Sequence, residues 1–429
     1  LFVSFGLAAC GSSTAADDDG AAGSAPLAGS AGAAGTGAGT GGAGGASGTS
    51  GSGGASAGAS GSSGAGGTAG RGTGGLGGNT SGASGDGGAA GLAGNAGSAS
   101  GSPGAGAGGT GSAGASGSAG ASGGSGGGGA GVSGTPVEEA LAPLRAMRQE
   151  HSVVALAGEI YVVGGYVSGA ISDSVDAYDP QADSWREIPS FPGPLQHSNA
   201  GAVGDKLYVA GFYMTTGTTS TSAQCFQYDP SSDEWTEKAP LPGGMGRAAG
   251  CSAVDGGLFY VFGGALDGTS VPDAARYDPS SDEWEVLPEL PAPREHCTAG
   301  AIDGTLYVVG GRVDEIVNIE PDVWALDPVA KTWTPKAPLP KPRAGLAGAV
   351  LGGRFYAFGG EGNPDSDIGI FDDIDAYDPL RDEWESLPPM LVPRHGFGAA
   401  TLGDRIYLAG GAIRQGGTPS DENSVFYLE

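Results

Sequence analysis

The chain has 429 residues, 89 of them glycine, with 47 acidic against 19 basic side chains and a formal charge of −28. An acidic balance of that size excludes a nucleic-acid partner, which requires a basic footprint. Four cysteines are too few to frame a fold of this length with disulfides.

Residues 1–10 read LFVSFGLAAC, without an initiator Met, as expected of a piece of a longer precursor. The nine residues before Cys10 are too short to span a bilayer and fit the end of a signal-peptide apolar region. Leu7-Ala8-Ala9-Cys10 resembles the lipobox of bacterial lipoproteins. That resemblance implies that Cys10 is lipidated and becomes the mature N-terminus. The protein would then sit in the cell envelope, at the outer membrane or cell surface, with the lipid as its membrane attachment. Residues 11–134 are almost wholly Gly, Ala and Ser, with Asp17-Asp18-Asp19 near the anchor. Such a composition buries nothing that could offset ordering entropy, which predicts a disordered linker with a reach on the order of 60 Å.

Residues 135–429 carry 43 acidic and 18 basic residues, a net charge of −25. One unit, Arg247 to Trp284, sets the pattern: three short apolar runs separated by turns, with a Trp opening a fourth. Asp255-Gly256-Gly257 is a hairpin signal, and Leu258 to Phe262 is apolar almost throughout, so both of its faces should be buried. The run ends at Gly263-Gly264, and Tyr277-Asp278-Pro279 stops the next one. The diglycine position recurs at Gly165, Gly211, Gly264, Gly311, Gly360 and Gly411, in steps of 46, 53, 47, 49 and 51 residues. Trp185, Trp235, Trp284, Trp333 and Trp384 follow in matching phase. A period near fifty with four strands per unit predicts an all-β fold, a six-bladed β-propeller. The pairing of a double glycine with a downstream Tyr and Trp resembles the Kelch repeat family. Repeat two departs with Ala210-Gly211, and repeat four has Leu326 in place of the usual Tyr.

The ends predict how the ring closes. The sixth unit stops after a third strand at Ser424–Leu428, without a fourth strand or a Trp. Val137–Leu141 lies at the spacing from Arg148 that Trp284 keeps from Arg294, so it should supply the missing outer strand and protect that edge. Glu138 stands where the Trp would be, which predicts poorer packing in that blade.

Candidate chemistry is sparse. Cys225, Cys251 and Cys297 read as small buried hydrophobes, and no CxxC or HxxxH spacing points to a metal or other cofactor. Kelch-type copper oxidases are a precedent for enzymes on this fold, but no paired-His, Tyr and Cys constellation can be placed here. His151, His197, His296 and His395 each precede a first strand by a few residues, where Kelch repeats commonly carry His or a small polar residue. Arg148, Arg247, Arg294, Arg343 and Arg394 each lie 17 residues before the second Gly of their repeat, with Pro194 breaking the series. Equal phase means a ring at one face. Such a ring is either a ligand-binding set for an anionic group or a set of ties between blades, with acids such as Asp314, Glu315 or Asp373 as partners. The acid pairs Asp233-Glu234, Asp282-Glu283 and Asp382-Glu383 recur at turns of the opposite face and read as solvated. Long, dissimilar loops after each diglycine return to the Arg face, where specificity on a rigid ring usually resides. One of them, with Asn363, Asp365, Asp367, Asp372 and Asp373, offers oxygens of the kind Ca²⁺ prefers, yet Ile368 stands where a calcium loop wants Gly.

Two functions from different classes fit. The first is a surface-tethered, non-enzymatic binding module that engages a protein or glycan, with an anionic ligand at the Arg-ringed face. The second is a carbohydrate-active enzyme resembling the Kelch-type sugar-acid mutarotases. In that case Glu150 beside His151, or Glu295 beside His296, would act as acid and base near arginines that hold a carboxylate. A Glu of raised pKa facing converging arginines would mark the enzyme.

Overall fold

The structure is a computed structural model that describes Gly120–Ala121 and residues 134–429. The lipobox with Cys10 and nearly all of the linker lie outside the described residues. Gly120–Ala121 pairs in parallel with Thr298–Ile302.

Six sheets of four antiparallel strands form the ring, the fourth of them also carrying the parallel Gly120–Ala121 pairing. Their first strands are Ser152–Leu156, Asn199–Val203, Cys251–Asp255, Thr298–Ile302, Ala347–Leu351 and Gly398–Leu402. Each touches the first strand of the next sheet, and the sixth touches the first, so the ring is closed. These inner strands and the second strands beside them are buried on both faces, which is why their sequences are near-continuous apolar runs. Fourth strands such as Glu283–Leu287 face solvent and carry charge.

The predicted clasp is present. Pro136–Ala140 pairs antiparallel with Asn423–Leu428 and forms the outer strand of the sixth blade. Thr135 and Glu429 exchange two further backbone hydrogen bonds at 3.0 Å. Glu138 occupies the Trp position, opposite Phe426. Its carboxylate accepts from the Leu391 N–H at 2.8 Å and from the Ser424 hydroxyl at 2.7 Å. Polar bonds therefore replace the aromatic packing that this blade lacks.

Elsewhere the blades are joined by a repeated clamp. In the third blade Tyr277 lies opposite Trp284, ring centroids 5.1 Å apart, and its hydroxyl donates to Asp282. Asp282 also accepts from the Ala239 N–H at 2.9 Å, while Trp284 Nε1 donates to the Ala239 carbonyl at 2.7 Å. Both backbone groups of one residue at the exit of the second blade are thus held by the third. Asp183 with Trp185 grips Ala142 in the same way, and Asp382 with Trp384 grips Ala337. The turn aspartates Asp183, Asp282 and Asp382 are structural, the neighbouring Glu283 and Glu383 stay exposed, and Trp284 is half-buried. Trp284→Ala should therefore cost about 2–4 kcal/mol, below a fully buried large aromatic plus a hydrogen bond. A chemical-denaturation midpoint within 0.5 kcal/mol of wild type, a bound of about the size of a surface substitution, would refute the clamp.

The diglycine exists because a neighbouring carbonyl comes close. Gly264 has φ of +103° and donates to the Arg294 carbonyl of the next blade at 2.7 Å. A Cβ on Gly263 would lie 2.2 Å from that same oxygen. Gly164, Gly310, Gly359 and Gly410 make the same approach, and so does Gly211, which faces the Arg247 carbonyl. Gly211 is therefore the first glycine of its pair and Phe212 replaces the second, one residue later than the visible Ala210-Gly211 suggests. The residue in the arginine phase of repeat two is Leu195, whose carbonyl receives Gly165 N–H, and not Pro194. Cys251 and Cys297 form a disulfide with Cα atoms 5.4 Å apart, joining the third and fourth blades, while Cys225 is free and buried. The reading of all three as unpaired hydrophobes holds for Cys225 alone.

Candidate functional site

The five arginines do not line a mouth. Each is exposed by 1 % or less, and the bonds its guanidinium makes stay inside the blades, with Arg247 Nε and Nη1 buried without a hydrogen-bond partner. Arg148 pairs with Asp176 at 2.6 Å and donates to the Gly164 carbonyl at 3.1 Å. Arg343 pairs with the buried Asp375 at 2.7 Å. Arg294 reaches the Gly310 carbonyl and Asp322 and lies 4.6 Å from the Trp324 ring. Arg394 bonds to the Gly410 and Glu422 carbonyls and to Ser424, and Arg247 to the Val261 carbonyl. Burial pulls Arg247 and Arg394 down to about 10. Combined with the carbonyl that each presents to the preceding diglycine, the side chain ties two blades together. The ligand-binding expectation for Arg148, Arg247, Arg294, Arg343 and Arg394 loses its physical basis, because guanidiniums buried within the blades are out of reach of an anion at the mouth. Their acids are Asp176, Asp322 and Asp375, with Glu138 at 3.8 Å from Arg394. Asp314 instead exchanges hydrogen bonds with Ser270 on the neighbouring loop.

The mouth is set two residues after each arginine. Glu150, His197, Ala249, His296, Gly345 and Gly396 all adopt φ between 50° and 61°. Each donates its N–H to the carbonyl of the one before, and Glu150 donates to Gly396, closing a ring of six backbone hydrogen bonds. The residue before each ring position bridges to the residue after its diglycine: Gln196 to Tyr213, Glu295 to Arg312, Ala344 to Glu361 and His395 to Ala412. The long loops consequently rise from this same mouth, as expected.

Side chains from five blades converge there. Arg312 donates to Glu295 and to Glu361, both at 2.8 Å, and its Nη2 lies 3.3 Å from His296 Nε2. His197 Nε2 sits 3.0 Å from His296 Nε2 and 3.0 Å from Glu150 Oε2. His395 Nδ1 lies 3.4 Å from Glu361. Desolvation alone would raise Glu295, but His296 and Arg312 outweigh it and hold that carboxyl down at about 2. Glu361 is likewise lowered, burial being outweighed by His395 and Arg312. Burial first, and then the Arg312 charge, depresses His197 to about 3 and pulls His296 down as well.

The four histidines occupy three kinds of position. His197 and His296 share the ring position, and His395 precedes it. His151 follows it and is buried, with Nε2 on the Ala409 carbonyl at 2.9 Å. Glu150 and His151 therefore form no dyad, and the carboxyls paired with Arg312 are lowered in pKa where the enzyme reading asks for a raised one. The calcium loop does not gather its ligands either. Asn363 closes its own turn onto Asp365 N–H and the Ile370 carbonyl, and Asp373 pairs with Lys341 at 2.7 Å. Among the described residues the acidic and His groups that do converge are Glu150, His197 and His296. No local motif announces them, since the two histidines are 99 residues apart in sequence. The readable signal is equal phase, two residues after the arginine series.

Residues 196–411, about half of the chain, match the KLHDC2/KLHL20/DRC7 Kelch-repeats domain, and residues 147–192 match the Kelch motif. Among relatives, the Kelch-like protein terF of Aspergillus terreus is 30 % identical over 286 residues, covering 63 % of this chain and 62 % of that protein. Kelch repeat and BTB domain-containing protein 12 of Danio rerio is 40 % identical over 86 residues, covering 17 % of this chain and 14 % of its own. The chain thus spans less than two thirds of these relatives' lengths. The solved structure of YjhT superposes with a TM-score of 0.56 at 17 % identity, covering 66 % of this chain and 96 % of that one. Closed ring, repeated clamp and matched motifs agree: the chain belongs to the Kelch-repeat family.

Proposed function

We propose that this protein is a non-enzymatic binding module that engages a partner protein through the loop-bearing mouth of the ring. The observation that carries the reading is where apolar surface is left exposed. Met214, Leu266, Val317 and Ile413 stand on four of the loops that rise from the mouth, at exposures of 40 %, 39 %, 78 % and 39 %. Exposed apolar side chains on loops of a rigid frame are an ordinary feature of an interaction surface, and Val286, Val329, Leu380 and Leu391 are exposed away from these loops. The loops are also braced against one another. Tyr166 donates to the Thr216 carbonyl at 2.6 Å, Thr221 to Asp267 at 3.1 Å, and Gln415 N–H to the Ile368 carbonyl at 2.9 Å. A surface ordered in advance loses less entropy on binding. With the arginines buried, an apolar contact with a protein is favoured over capture of an anionic glycan. We further propose export and a lipid anchor at Cys10. The Cys251–Cys297 disulfide supports that reading, because such bonds persist in oxidising compartments.

A photo-crosslinking residue placed at Val317 should capture a defined polypeptide in the producing cell. The same residue at Val329, 90 % exposed beyond the mouth loops, should capture none. Equal capture at both positions, or capture at Val329 alone, would contradict this face.

A further inference from the structure

We infer that Glu150, His197 and His296 form a binding site for a divalent transition-metal ion of the zinc class at the mouth of the ring. The argument begins with the proton on His197. Gln196 Nε2 donates to the Thr215 carbonyl at 2.9 Å, which fixes the amide so that its oxygen faces His197 Nδ1. The proton of a neutral His197 is therefore on Nδ1, and Nε2 is a bare lone pair. That lone pair points at the Glu150 carboxylate and at His296 Nε2, each 3.0 Å away. His296 Nε2 is itself an acceptor, because Arg312 Nη2 faces it at 3.3 Å, and its own proton lies on Nδ1, 3.5 Å from Glu295 Oε1.

Three lone-pair atoms thus meet with no proton between them, all within 4.8 Å of one another. Ligand atoms bound to one tetrahedral ion at about 2.0–2.1 Å stand at comparable separations. The outer contacts fit as well. Metal-bound imidazoles turn their second nitrogen to an amide or carboxylate oxygen, which fixes the tautomer, and Gln196 and Glu295 stand in those places. Arg312 keeps Nε and Nη1 on its two carboxylates, so its longer Nη2 contact is the one that yields to the ion. Two imidazoles and a carboxylate leave a fourth position for water at the open side, where Glu150 and His197 retain 11 % and 12 % side-chain exposure.

The test is titration of the metal-free full chain with Co²⁺, followed by displacement with Zn²⁺. The expected result is visible d–d absorption of a four-coordinate nitrogen–oxygen site that saturates at one ion per chain and is erased by Zn²⁺. His197→Gln and His296→Gln should each weaken binding by about 100-fold or more, and Glu295→Gln by roughly 10–100-fold. If a histidine variant fails to fold, Glu150→Gln carries the same expectation. Absence of the absorption in wild type, or unchanged affinity in the folded ligand variants, overturns the site.

Discussion

Deleting residues 135–146 is expected to lower the melting temperature by roughly 10 °C or more, at about 2 °C per kcal/mol for a domain of this size. The deletion removes the outer strand of the sixth blade together with its ladder to Asn423–Leu428. It also removes the buried Leu144 and the Ala142 carbonyl that receives both Trp185 Nε1 and Asn423 Nδ2. What remains is an unpaired strand edge, so the truncated protein should also self-associate. Deleting residues 20–119 should move the midpoint by no more than about 1 °C, less than 1 kcal/mol on the same scale. Equal melting of the two truncations would mean that the clasp does not close the ring.

The second large effect concerns the arginines. Arg343→Ala is expected to cost about 3–5 kcal/mol, because it strands a carboxylate in the interior. Asp375 is 1 % exposed and would keep the Ser386 hydroxyl but lose its charge partner. Arg294→Ala should cost less, since Asp322 has a side chain 47 % exposed and can turn to water. Adding Asp375→Ala to Arg343→Ala should recover part of the loss, the coupling expected of a direct pair. Denaturant midpoints for the two single variants and the double check this ordering. Additive losses at positions 343 and 375 would contradict it.

The glycine and tryptophan spacing made the architecture legible, because each marks a contact that every blade must repeat. Gly263-Gly264 answers a close carbonyl, and Trp284 answers the exit of the blade before it. The clasp was legible to one residue, at Val137–Leu141 against the observed Pro136–Ala140. Repeat two was misread by one residue because Phe212 fills the place of a glycine, and counting from Gly211 then lands on Pro194 and not on Leu195. The arginine phase was visible, but phase says which face a residue is near and not whether its side chain ends in the channel or between blades. That depth is set by Asp176 and Asp375 on third strands, far away in sequence. The Glu150, His197 and His296 group was hidden for the same reason: each residue comes from a different blade, and two repeats carry glycine at that position. The disulfide was hidden because adjacent first strands bring together cysteines 46 residues apart, a spacing that no short framework shows.

The central claim is that the repeated arginines build the ring and that the side chains peculiar to single blades carry its function. Mass-spectrometric mapping of arginine modification by phenylglyoxal in the native full chain tests it most directly. Arg186 and Arg381, with side chains 52 % and 75 % exposed, should react. Arg148, Arg247, Arg294, Arg343 and Arg394 should stay unmodified until the protein unfolds. Native-state modification of those five at rates like that of Arg381 would put them back at the surface and contradict the account.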